Sequence, residues 1–213
     1  MAYVGQPIKR VEDVRHLRGA ASFVDDLRFA GAAHVAILRS PHAHARIVSV
    51  DCSAARTAPG VIAVVTGEDT SAIPRLPLPN PLPPDTRIPA QPILARDTVR
   101  FVGEPIVDVI AEDAYGARVA LGLVDVQYDP LPSVTDIEAA LAPDAPRVHA
   151  ELPDNVCYRL TQSKDEWYRG GSREGDLESV FRNAAKVIRV DFAVNRVAPV
   201  PMEPRGLIAR FDR

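Results

Sequence analysis

The chain has 213 residues, 46% hydrophobic and 25% charged, with a formal net charge of −3. That balance suits one large globular domain or two small ones and supplies no bulk positive field to attract nucleic acid or an anionic membrane. Two cysteines, Cys52 and Cys157, form neither a disulfide framework nor a zinc knuckle, so a reducing compartment, the cytoplasm, is expected.

The N-terminal stretch MAYVGQPIKRVEDVRHLRG mixes acids and bases without an apolar core, so no secretory signal is expected. No run approaches the roughly 18 apolar residues of a membrane span. SFVDDLRF reads as a strand entering a loop, with Asp25 and Asp26 as an acid pair that nothing nearby turns into a catalytic dyad. The apolar runs Val35–Leu38 and Val61–Thr66 are short and β-branched, which predicts strands. Between them Ile47, Val48 and Val50 predict a third strand and Cys52–Thr57 a short helix. Ser-Pro-His and Ala-Pro-Gly punctuate the order strand, turn, strand, helix, strand.

Twenty prolines are about twice the usual usage of roughly 5%. Eight of them fall between Pro74 and Pro92. Each fixes φ and removes a backbone donor, so this stretch is expected to be an extended loop with polyproline character. VRFVGEPIVDVIAEDAYGARVALGLVDVQYDPL follows. It predicts a strand over Ile106–Ala111, a helix from Asp113 over Ala114–Leu123 with Val119, Ala120 and Leu123 on one face, and a strand over Val124–Tyr128. As a strand–helix–strand unit, its helix would cross over one sheet. TDIEAALA predicts a short helix capped by Thr135 or Asp136. A polar connection with a break near 145–155 leads to GDLESVFRNAAK, an amphipathic helix with Asp176 as N-cap and Leu177, Val180, Phe181 and Ala184 inward. In VIRVDFAVN, Val187, Arg189, Asp191 and Ala193 alternate with Ile188, Val190, Phe192 and Val194, which predicts a half-buried strand. The fold class is α+β, or mixed α/β.

Few residues suggest chemistry on their own. His42 and His44, two apart in SPHAHAR, would share one strand face, but a third metal ligand is missing and the start of a strand accounts for them. In FVGEP, Gly103 fits a tight turn and Glu104 a solvated turn position; no phosphate-binding glycine loop, nucleophile elbow or zinc-protease motif occurs. PVPMEPRG is the remaining candidate. Pro201 and Pro204 stiffen the backbone around Glu203, and Arg205 offers a planar fork either to an oxyanion or to Glu203 as a structural pair.

Taken together, GQPIKRVEDVRHLRGAASFVDDL, LRSPHAHARIVSVD, APGVIAVVTGED, VRFVGEPIVDVIAEDAYGARVAL, VQYDPLPSVTDIEAAL and VPMEPRG resemble, in this order, the start of the molybdopterin-binding large subunit of the xanthine dehydrogenase / aldehyde oxidase / carbon monoxide dehydrogenase family. The resemblance implies an α/β hammerhead domain over residues 1–147 and the incomplete start of the first molybdopterin-binding domain over 148–213. It implies an oxidoreductase subunit acting on aldehyde, heteroaromatic or carbon monoxide substrates, with water as the oxygen source and a molybdopterin-type molybdenum cofactor in the complete subunit. The implied partners are the remaining molybdopterin domains, in the same or a separate chain, and iron–sulfur and FAD subunits. The family's glycine-rich cofactor loops and its late catalytic glutamate have no counterpart here. The chain is therefore expected to be an N-terminal fragment, inactive alone and binding no cofactor by itself, with no catalytic residue and no metal ligand. Only Met202, Glu203, Pro204, Arg205 and Gly206 are carried over, as a segment near the cofactor. The alternative is a free-standing interaction module that binds an assembly factor or an electron-transfer subunit.

Overall fold

A computed structural model describes residues 3–73, 86–89, 91–159, 177–195, 197–201, 203 and 205–211. Of the proline-rich stretch, 74–85 and 90 lie outside the described residues, as do residues 160–176 with the expected cap Asp176. The chain divides into two compact units, Gly31–Leu177 and a second made of Met1–Ala30 with Glu178–Arg213. The second unit thus joins the first thirty residues to the C-terminal segment.

The unit Gly31–Leu177 is built on two three-stranded antiparallel sheets. In the first, β5 (Pro105–Ala111) lies between β1 (His34–Arg39) and β3 (Val61–Thr66). A strand hydrogen-bonded on both sides and covered by helices should read as a near-continuous apolar run, and PIVDVIA does: Ile106, Val107, Val109 and Ala111 are buried. Val109 stands opposite both Ala36 and Val64. In the second sheet, β2 (Ala45–Asp51) lies between β4 (Thr98–Val99) and β6 (Asp125–Pro130). The two-residue strand β4 has too few residues to show a period, and the sequence gives no sign of it.

Two helices close one core against these sheets. α2 (Ser53–Arg56) follows β2 directly and buries Ala55. α3 (Ala114–Leu121) is started by Asp113, whose Oδ1 accepts the N–H groups of Tyr115 and Gly116 at 2.9 Å, which satisfies two otherwise orphaned donors. Its inward stripe is Ala117, Ala120 and Leu121, the i, i+3, i+4 spacing, and Val124 packs on the same core just beyond its end. The expected face is corrected here: Val119 is 69% exposed, because alanine at 117 and 120 lets the helix approach the sheet closely and turns Val119 outward. The crossover is corrected too. β5 and β6 flank α3 in sequence but belong to different sheets: the helix packs back on the first sheet, against β1 and β5, and the chain then leaves it for the second. The resulting core joins Val64, Val107 and Val109 of one sheet to Ala45, Ile47 and Val99 of the other, with Cys52, Ala55 and Ala120 between. α4 (Ile137–Leu141) is capped by Asp136, whose Oδ1 accepts the Ala139 N–H at 2.8 Å.

The second unit contains α1 (Asp13–Leu17), a single 3-10 turn over Val24–Asp26 where a strand was expected, and α5 (Leu177–Asn183), whose residues from Glu178 onward belong to this unit. The turn at Val24–Asp26 follows from Asp26, whose Oδ2 accepts the Phe23 N–H at 2.9 Å and folds the acid pair back on its own backbone. Val180, Phe181 and Ala184 are exposed, not inward, and residues 187–194, expected as a strand, have no assigned helix or strand. No helix of the structure is long and apolar enough to cross a membrane, among the described residues.

Candidate functional site

The candidate segment 202–206 lies in the second unit; Met202 and Pro204 are outside the described residues. Glu203 Oε1 accepts the Val24 N–H at 3.0 Å, across 179 residues of sequence. This is the first donor of the 3-10 turn, so the glutamate acts as its external cap. Gly206 meets the same residue: a Cβ built there would stand 2.3 Å from Val24 Cγ1. Side-chain atoms cannot occupy that distance, so glycine permits the approach. Glu203 also lines a shallow cleft of about 160 Å³ with Glu12, Arg15, His16, Ala21, Ser22 and Phe23. The His16 ring stacks on Phe23 with centroids 5.3 Å apart. No ion pair joins Glu203 to Arg205 among the described residues.

In the sheet-bearing unit the structure brings together two motifs that are sixty residues apart in sequence. Ser40, at the end of β1, donates its N–H to the Glu104 carbonyl at 2.9 Å and accepts the Gly103 N–H at 2.8 Å. Arg39 Nη1 donates to the Gly103 carbonyl at 2.9 Å. Gly103 has φ +93°, so the tight turn requires it. The Ser40 hydroxyl then accepts the His42 N–H at 3.0 Å, and the RSPHAH turn is locked to VGEP.

The histidines are held as structural groups. His42 packs its ring on Tyr128 with centroids 4.8 Å apart, and His44 Nδ1 donates to the Pro132 carbonyl at 2.8 Å. Both precede β2 and do not share a strand face. Among the described residues no group of three or more His, Cys, Asp or Glu is placed to hold a metal ion. Glu104 is the correction of most consequence. It is 7% exposed, not solvated, because its carboxylate turns back under the loop and accepts the Arg100 N–H.

Three further groups escaped sequence reasoning. Asn155 donates to the carbonyls of Ala140 and Pro146 and accepts the Val148 N–H at 2.9 Å, closing the 140–156 loop around one amide. His149 is half-buried, 3.3 Å from Glu151. Burial and the neighbouring Arg100 push its pKa down, against the upward pull of Glu151 and Glu104. Asp108 interrupts the apolar run of β5, where burial raises its pKa against the attraction of Arg39. Neither an amide hub nor a single buried acid has a periodic signature. Only the polar residue inside PIVDVIA could have been flagged.

A family model described as the a/b hammerhead domain of aldehyde oxidase and xanthine dehydrogenase matches residues 18–132. The 6-hydroxypseudooxynicotine dehydrogenase complex subunit gamma of Paenarthrobacter nicotinovorans is 36% identical over 99% of this chain and 26% of its own length. The carbon monoxide dehydrogenase large chain of Afipia carboxidovorans is 35% identical over 96% of this chain and 25% of its own length. Among solved structures, quinoline 2-oxidoreductase from Pseudomonas putida 86 superposes with TM-score 0.67 at 36% identity, covering 84% of this chain and 21% of that one. The chain therefore spans about a quarter of the length of the curated relatives it matches. Its paired three-stranded sheets, linked in sequence by α3 and joined through the RSPHAH and VGEP turns, are a mixed α/β hammerhead, and the chain belongs to the aldehyde oxidase and xanthine dehydrogenase family.

Proposed function

We propose that this chain forms the hammerhead domain, residues 1–147, and the opening of the first molybdopterin-binding domain, residues 148–213, of a molybdenum hydroxylase large subunit. The observation that carries this reading is the extent of the likeness: 35–36% identity is sustained over 96–99% of the chain, well past the matched hammerhead residues. A molybdopterin-type cofactor, when bound, supplies hydroxylation of aldehyde or heteroaromatic carbon, or oxidation of carbon monoxide, with oxygen from water.

The cleft beside Glu203 is about 160 Å³, against about 300–1,000 Å³ for small-molecule sites, and the Glu203 carboxylate is already engaged by Val24. Glu203, Arg205 and Gly206, with Met202 and Pro204 of the same segment, are therefore assigned to the edge of the cofactor site as scaffold, and no chemical step passes through them. Turnover requires the polypeptide that fills the other three quarters of the relatives' length, with iron–sulfur and FAD partners to carry electrons away, in the cytoplasm.

The test is reconstitution. This chain, mixed with a polypeptide carrying the remaining molybdopterin domains, is expected to restore molybdenum-dependent dye reduction that neither component shows alone. A stable complex without dye reduction would overturn the proposal.

A further inference from the structure

Residues 140–156 form a loop held by polar groups and not by apolar packing. Asn155 donates to the Ala140 and Pro146 carbonyls and accepts the Val148 N–H at 2.9 Å. Arg147 Nη1 donates to the Leu152 carbonyl at 3.2 Å, and the Leu152 N–H donates to the His149 carbonyl at 3.0 Å. None of these residues belongs to the buried core. A segment with few buried apolar contacts opens at a lower free energy than the sheets of its unit.

Of the loop's ionisable side chains, His149 is the one turned in, 18% exposed. The charged groups that face it are Arg100 and Glu104 of the turn between β4 and β5, and Glu151 of the loop itself. A neutral imidazole loses little in such a place. An imidazolium must give up hydration beside a guanidinium whose Nε is itself shielded from solvent. The carboxylates return less than their number suggests. Glu104 is buried, and its carboxylate already accepts the Arg100 N–H. Glu151, 3.3 Å from His149 Nδ1, is 46% exposed and screened by water. Burial first and Arg100 second hold the imidazole pKa below the ordinary 6.5. Every member of the cluster lies in the unit Gly31–Leu177, so it depends on no open face.

We propose that residues 140–156 are a proton-released latch: with His149 neutral the loop closes against the turn after β4, and proton uptake at the imidazole opens it while both sheets stay folded. The step moves one proton from solvent to a ring nitrogen and breaks no covalent bond. Linkage fixes the sign. The open loop takes up the proton at about pH 6.5 and the closed loop only at lower pH, so closure is favoured in full above that value and weakens as pH falls toward the folded one.

Amide hydrogen exchange and imidazole NMR on the purified 213-residue chain test this between pH 7 and 5.5. Relative to its intrinsic rate, the Val148 amide should lose protection by up to about eightfold over that range, the limit set by one proton bound near 6.5. Low urea should leave that protection unchanged, as for a local opening. Val107 and Val109, in the core, should be better protected and should respond to urea. His149→Gln should make the Val148 protection independent of pH. Asn155→Ala, which undoes the closure, should raise the titration of the His149 ring from its wild-type value to about 6.5. Val148 protection equal to that of Val107, with the same urea response, would overturn the proposal, because the loop would then open only with the whole unit. So would a pH-independent Val148 in the wild type, an unchanged pH response in His149→Gln, a wild-type His149 that titrates at 6.5, or a His149 indifferent to Asn155→Ala. None of these readouts involves the cofactor or an added polypeptide, so they stand or fall apart from reconstitution.

Discussion

Glu203 and Gly206 meet the same residue, Val24, by different means: one offers a carboxylate oxygen to its N–H, the other withholds a side chain from its methyl group. These roles separate experimentally. Glu203→Ala removes the acceptor, and exchange of the Val24 amide should accelerate roughly tenfold, the effect of about one hydrogen bond. Glu203→Gln keeps an acceptor oxygen and should leave exchange within a few-fold of wild type; equal acceleration in both would assign the protection elsewhere. Gly206→Ala forces Val24 to move and should destabilise the unit by about 1–3 kcal/mol, the range for overpacking, read as faster exchange across residues 22–26. That the backbone around Glu203 is stiffened was legible in the sequence, from the prolines on either side of it. What the glutamate holds was not: its partner lies 179 residues away, and no local pattern encodes a contact of that separation. Glu104 is the converse case. FVGEP reads as a surface turn, and only the meeting of that turn with Ser40 buries its acid.

Elements with a strong internal period were the readable ones. The strands over Val61–Thr66 and Ile106–Ala111 form where β-branched runs end in turn residues, and both Asp113 and Asp136 cap helices through their side chains. Partition of strands between sheets was not readable, because period and capping describe an element alone and not its neighbour. α3 therefore looked like a crossover, although the chain leads from it to a strand of the other sheet. Its stability rests on the cap, since its inward residues include two alanines that bury little area. Asp113→Ala should cost about 1 kcal/mol, within the range for lost N-caps, measured as a lower midpoint in urea with an unchanged slope. Asp113→Asn, which keeps the acceptor, should recover most of the loss. A slope change with the midpoint held would mean that the denatured state, not the cap, had been altered.

For the molecule as a whole, titration brings together groups that the sequence keeps apart. Asp51, Asp69 and Asp154 accept backbone N–H bonds from Ser53, Thr66 and Val156, which hold their pKa values below the ordinary 3.8. Their contribution is present above that value and disappears as pH falls through the lowered ones. Asp108 runs the other way: burial raises its pKa, so its contribution is present below 3.8 and is lost as pH rises through its folded value. The three lowered carboxylates do not change state as pH falls from 7 to 5.5. His149 does bear on that window. Its folded pKa lies below 6.5, so the unfolded chain takes up a proton first, and stability falls as pH drops through 6.5 toward the folded value. Desolvation and Arg100 set the direction, and Glu151 at 3.3 Å with Glu104 opposes it. Thermal melts between pH 7 and 5.5 should therefore show a falling midpoint that flattens in His149→Gln, which cannot charge. Equal slopes in the two proteins would remove His149 from the account. The loss of slope in the variant, not the slope itself, assigns the effect to His149.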